Sequence, residues 1–214
     1  MIKSTSKWIP LLVTLAISAA TLVIYSIVSE EITVRMYPQI IAAAFVPGIL
    51  PLIGKVTKRE FPIFPNVLIS LHIVLANNLG SALGFYDRIE VWDLIMHGYF
   101  GFVFSVIIYI FLLRWNGEAL NKFGFYAIIF LSTLGAAALW EIWEFSCDTI
   151  LGCDAQRVKE ALENGTSPVA DTMTDIIVAI AGIAVFFTVL YIDKRFNYKI
   201  SGKLRLQARK EKIL

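Results

Sequence analysis

Of the 214 residues, 57% are hydrophobic and only 17% carry charge, and the mean hydropathy is +0.71. That balance excludes an ordinary water-soluble domain and places the chain among polytopic membrane proteins. The formal net charge of +2 conceals a strong asymmetry along the chain.

A spanning helix needs about 20 mainly apolar residues, and six stretches meet or approach that length: 8–28, 38–54, 64–84, 93–113, 124–147 and 171–192. Lys3 and Lys7 precede the first, as in a secretory signal, but its apolar run is too long for a signal and reads as an uncleaved helix. The second is the shortest, and its Pro47-Gly48-Ile49-Leu50-Pro51 run removes two backbone donors, which predicts a kink or interruption. The third carries Asn77, Asn78 and Gly80 towards its end. The fourth opens on Asp93 and His97, and the fifth ends on Glu141, Glu144 and Asp148. A longer connection, 149–170, has a short surface helix predicted at 157–163, closed by Asn164-Gly165, and reads either as a lid or as a tolerated loop. The sixth span opens on Asp171 and Asp175, and a basic tail occupies 193–214.

The architecture expected is therefore an all-α bundle of six transmembrane helices forming one transmembrane domain, 1–192. With the N-terminus cytoplasmic, fifteen of the nineteen Lys and Arg residues fall inside, and thirteen of the seventeen acids fall outside or at outer helix ends. The positive-inside rule then sets both termini in the cytoplasm. The tail reads as an anchor on anionic lipid rather than a nucleic-acid-binding segment. Cys147 and Cys153 flank the outer loop and leave a disulfide or two thiols open.

The ionisable residues of the last three spans all lie at the ends that face the same side of the membrane. Ionisable groups in spans are costly, so their clustering points to a site. At 100° per residue Glu141, Glu144 and Asp148 share an arc of roughly 60°, with Trp140, Trp143 and Cys147 on the adjoining stripe. Asp93 and His97 are one turn apart, as are Asp171 and Asp175. Small residues, Gly98 and Gly101, Gly135-Ala136-Ala137-Ala138, and Ala179 with Gly182, allow close helix approach.

So many carboxylates in a low dielectric need a divalent cation, protons or arginines to balance them. Hard oxygens with one imidazole suit magnesium, manganese, calcium or zinc. The candidate ligands are Asp93, His97, Glu141 and Asp175. Glu144 and Asp171 are candidate general bases, and Asp148, Trp140, Trp143, Asn77 and Asn78 are further pocket residues. The competing reading is that Asp93 and Asp171 cap helix N-termini while Glu144 and Asp148 reach headgroup water beside an interfacial Trp belt.

The ordered set Tyr86-Asp87, Trp92-Asp93, His97 and Gly101, then Trp140-Glu141, Glu144, Asp148, Gly152 and Gln156, then Asp171-Thr172, Asp175 and Gly182, resembles the bacterial YjdF-like inner-membrane proteins over residues 60–192. The last three spans show a more distant similarity to VanZ-like membrane proteins. The resemblance implies a bacterial inner-membrane location and a shared polar constellation, with no established reaction, and the VanZ-like order hints at the cell envelope.

Three function classes stand open. One is an outward-facing metal centre acting on lipid-linked envelope intermediates. The second is cation- or proton-coupled transport, which calls for ionisable groups through the full membrane depth. The third is a scaffold whose carboxylates only stabilise the bundle or a partner interface. Whether the chain is an enzyme is left undecided.

Overall fold

The computed structural model describes residues 4–28, 35–59, 61–115, 119–196, 199, 201–202 and 204, and its regular elements there are all helical. The helices are α1 (Ile9–Val28), α2 (Met36–Ala44), α3 (Ile49–Thr57), α4 (Ile63–Ile73), α5 (Phe85–Arg88), α6 (Trp92–Arg114), α7 (Lys122–Leu151), α8 (Val158–Glu163) and α9 (Pro168–Arg195). Six continuous helical stretches among the described residues are long and apolar enough to cross a membrane: Ser6–Val28, Met36–Thr57, Ile63–Ala82, Trp92–Arg114, Lys122–Leu151 and Pro168–Arg195. They match the six expected spans and extend most of them by a turn or less. Most of the basic tail, including Lys203 and everything from Arg205 onward, lies outside the described residues.

The chain divides into two compact units, one built on the first three spans and the other on the last three. In the first, α1 buries Pro10, Thr14, Ser18, Thr21 and Tyr25 and exposes Leu12, Val23 and Ile27. Polar groups inside and aliphatic groups outside is the polarity a lipid-facing helix requires.

The predicted break in span two is present. The ladder of α2 ends at Phe45, whose N–H reaches Ala42 O at 3.2 Å. A 3-10 turn over Val46–Gly48 follows, and α3 then resumes. Span three also changes winding: α4 widens into a π-helix over Val74–Ala82. The wider turn separates two adjacent amides. Asn78 Nδ2 donates to Ser18 Oγ (3.1 Å) and Thr21 Oγ1 (2.9 Å) on α1, while Asn77 Oδ1 accepts from Gln39 Nε2 on α2 (3.2 Å). A Cβ at Gly80 would collide with the ring of Tyr86.

In the second unit α6 and α9 meet at their small residues. A Cβ on Gly101 would strike the Ala179 carbonyl, and one on Gly182 would strike the Gly98 carbonyl. The α6 hydroxyl of Ser105 pairs with Thr133 of α7 at 3.2 Å, and both residues are fully buried. Further along, Tyr109 packs edge-on against Phe125 of α7 (5.8 Å) and Phe186 of α9 (5.9 Å). Three helices so fixed hold the acidic ends of all three in register.

Candidate functional site

Each charged side chain owes its position to a helix end. Asp93 lies in the first turn of α6 and His97 one turn on. Glu141 and Glu144 lie in the second half of α7. Asp175 lies two turns into α9, after Pro168 opens that helix. His97 is the centre of the group. Its Nε2 is 3.5 Å from Asp93 Oδ1 and 3.8 Å from Asp175 Oδ2, and its Nδ1 is 3.6 Å from Glu141 Oε1. The side chains of His97, Glu141 and Asp175 are 8%, 5% and 2% exposed, and that of Asp93 is 16% exposed.

The carboxylate oxygens of Glu141 and Asp175 accept no hydrogen bond among the described residues. That is costly in an interior, where a charge needs a partner and its lone pairs need donors. The ligand-type atoms fall into two sets that share His97. Asp93, His97 and Asp175 form one, and His97, Glu141 and Glu144 the other, with the atoms of each set within 4.8 Å of one another. Oxygens on opposite sides of a divalent cation lie about 4–5 Å apart, so either set is of a size to close on an ion.

The other anticipated residues have different surroundings. Glu144 accepts the indole N–H of Trp140 at 2.8 Å. Trp140 and Trp143 are well exposed and line an apolar groove of about 360 Å³ with Phe100, Phe104, Ala136 and Leu139. Asp148 binds the following loop: Oδ1 accepts from Ala155 N (2.6 Å) and Oδ2 from Gln156 N (3.0 Å). Asp171 stands in the first turn of α9. Asn77 and Asn78 belong to the first unit, in the hydrogen bonds already described. Cys147 and Cys153 are not joined in a disulfide.

A profile of predicted membrane proteins, DUF2238, matches residues 10–195, nearly the whole helical part of the chain. The chain belongs to the DUF2238 family. The resemblance to YjdF-like proteins is consistent with DUF2238 membership. An uncharacterised protein of Thermotoga maritima is 29% identical over 140 residues, which is 65% of this chain and 68% of that relative. No solved structure matches. As a DUF2238 protein the chain has six candidate spans and a buried acidic and His-containing group in the last three.

Two features of this region went unnoticed in the sequence. Gln156 ties the loop to α9 by donating from Nε2 to Thr172 Oγ1 at 2.9 Å; both residues stand in the ordered set behind the YjdF-like resemblance, which was the available signal. At the other end of the unit, Arg114 and Asp193 are 2% and 7% exposed. Asp193 accepts the Ser201 N–H at 2.9 Å.

Proposed function

We propose that the second unit is a divalent-cation centre of the bacterial inner membrane, facing the extracytoplasmic side and acting on phosphate-bearing, lipid-linked envelope substrates. The observation that carries this reading is the burial of Glu141 and Asp175 without hydrogen-bond donors, on opposite edges of one imidazole. Four carboxylates facing a single His call for a cation or for protons.

An imidazole gives one nitrogen to a metal, and a carboxylate commonly holds the other. Glu144 already accepts from Trp140. We therefore assign Asp93, His97 Nε2 and Asp175 as ligands, with Glu141 orienting His97 through Nδ1. A cation there would polarise a bound water or phosphate oxygen. Glu144 is the nearer general base and Asp171 the alternative. The groove beside Trp140 is apolar and open, which suits an acyl or polyprenyl chain whose head reaches Glu144.

Coupled transport is less well supported. Beyond Ser105 and Thr133 the interior of the unit is filled by Tyr109, Phe125 and Phe186, and among the described residues buried ionisable groups return only with Arg114 and Asp193 at the far end, whereas transport calls for ionisable groups along the path.

The test is the metal content of the detergent-purified protein by elemental mass spectrometry. Near-stoichiometric metal in the wild type, absent from His97→Ala and Asp175→Asn, is expected. Glu141→Gln, as the orienting group, weakens retention by roughly 10–100-fold rather than abolishing it. Metal-free wild type whose melting temperature ignores added divalent cations sinks the proposal.

A further inference from the structure

A second cavity, in the first unit, has the opposite charge. It encloses about 450 Å³ at the start of α1 and the end of α3. Four cationic residues line it, Lys7, Lys55, Lys58 and Arg59, and among the described residues no acidic side chain does. Trp8 and Phe61 supply apolar wall. Glu60, the acid in this segment, lies outside the described residues.

The backbone builds this concentration of charge. α3 ends with Lys58 in the left-handed region (φ +53°), its N–H on the Gly54 carbonyl. Arg59 N–H reaches the same carbonyl at 3.0 Å. The chain thus folds back over the helix end that carries Lys55. Only glycine fits beneath it, because a Cβ at Gly54 would stand 2.9 Å from the Arg59 carbonyl.

One buried polar group gives the pocket a second function. Asn66 is 2% exposed and donates from Nδ2 to the Lys7 carbonyl at 3.3 Å, but its Oδ1 has no partner among the described residues. The pocket therefore offers cations for a phosphate, and its lining includes Asn66, whose buried acceptor lacks a donor among the described residues.

We propose that this pocket binds the headgroup of an anionic phospholipid, with the phosphate among Lys7, Lys55, Lys58 and Arg59 and a headgroup hydroxyl on Asn66 Oδ1. Basic pockets between spans are suited to anionic headgroups. The position at the ends of spans, with Trp8 and Phe61 in its wall, favours a lipid over a soluble phosphate. Phosphatidylglycerol carries both the charge and the hydroxyl.

The test is native mass spectrometry of the full chain in detergent, offered phosphatidylglycerol, phosphatidic acid or phosphatidylcholine, with inorganic phosphate as competitor. One phosphatidylglycerol is expected to persist under activation that strips phosphatidylcholine. Lys55→Gln/Lys58→Gln should weaken it by about 30-fold, at roughly fivefold per cation, and Lys55→Arg/Lys58→Arg should retain it. Asn66→Leu should weaken phosphatidylglycerol while leaving phosphatidic acid, which lacks the headgroup hydroxyl, unchanged. Equal retention of phosphatidylcholine by the wild type overturns the proposal without recourse to any variant. Displacement by inorganic phosphate overturns the lipid assignment in favour of a soluble anion.

Discussion

Both units bury polar side chains between spans, but they do so with opposite economy. In the first, the buried Ser18, Thr21 and Asn78 are neutral and bond one another across α1 and the π-turn, and the half-buried Asn77 bonds the exposed Gln39 of α2. In the second, Asp93, Glu141, Glu144 and Asp175 surround His97, and two of the buried carboxylates lack a donor among the described residues. A neutral network that satisfies its members holds helices together and asks for nothing further. A charged group left short of donors is unstable as it stands, so it marks where a ligand or protons complete the structure. The difference is the ground on which the proposed centre is placed in the second unit.

The strongest way to break this contrast is to remove the imidazole at the centre of the cluster. His97→Ala leaves the carboxylates facing one another and is expected to cost about 3–5 kcal/mol, read as a lowered melting temperature in detergent. The double variant His97→Ala/Asp175→Asn removes one negative charge as well and should recover part of that loss. If the double variant is as unstable as the sum of its parts, charge balance is not what His97 supplies.

A smaller effect separates packing from charge. Gly182→Leu drives a side chain into the Gly98 carbonyl and should destabilise the second unit by about 1–3 kcal/mol or more. Gly135→Leu is the control, because nothing lies within 4 Å of a Cβ there. Equal losses at the two positions would show that α6 and α9 do not meet as described.

In the neutral seam the expected cost is less again. Asn78→Ala removes two hydrogen bonds, each of about 0.6 kcal/mol by membrane-protein measurements, so roughly 1 kcal/mol is predicted. Metal content should stay at the wild-type level. Loss of metal in Asn78→Ala would couple the two networks and end the division of labour.

How much of this was legible depended on whether the determining physics is local. Span lengths and the break after Phe45 follow from apolar runs and from proline's missing N–H, so residue order sufficed. The convergence of Asp93, His97, Glu141 and Asp175 was legible too, because turn-spaced charges on apolar helices have few other places to go. The π-turn was not: no residue type marks it, and the adjacent, chemically identical Asn77 and Asn78 gave no hint that they face different helices. Arg114 looked like an ordinary loop cation of the positive-inside pattern, and only the tertiary structure shows it 2% exposed.

Periodicity groups Asp148 with the pocket residues, and the smallest predicted effect tests its place. It lies on the same helical stripe as Glu141 and Glu144, but α7 ends four residues later at Gly152, whose φ of +62° reverses the chain. The reversal brings the Ala155 and Gln156 amides onto the Asp148 carboxylate, and the Gln156 side chain then reaches Thr172. On this geometry Asp148 fastens the loop. Asp148→Ala is expected to change global stability by less than about 1 kcal/mol, since it frees a short connection of exposed and half-buried residues rather than a packed helix. Its local effect should be larger: faster amide exchange and easier proteolysis across 152–157. Metal content should be unchanged, in contrast to Asp175→Asn. If Asp148→Ala instead strips the metal while amide exchange in the loop stays slow, the carboxylate belongs to the charged cluster after all, and the boundary between loop anchor and centre must be redrawn one turn further along α7.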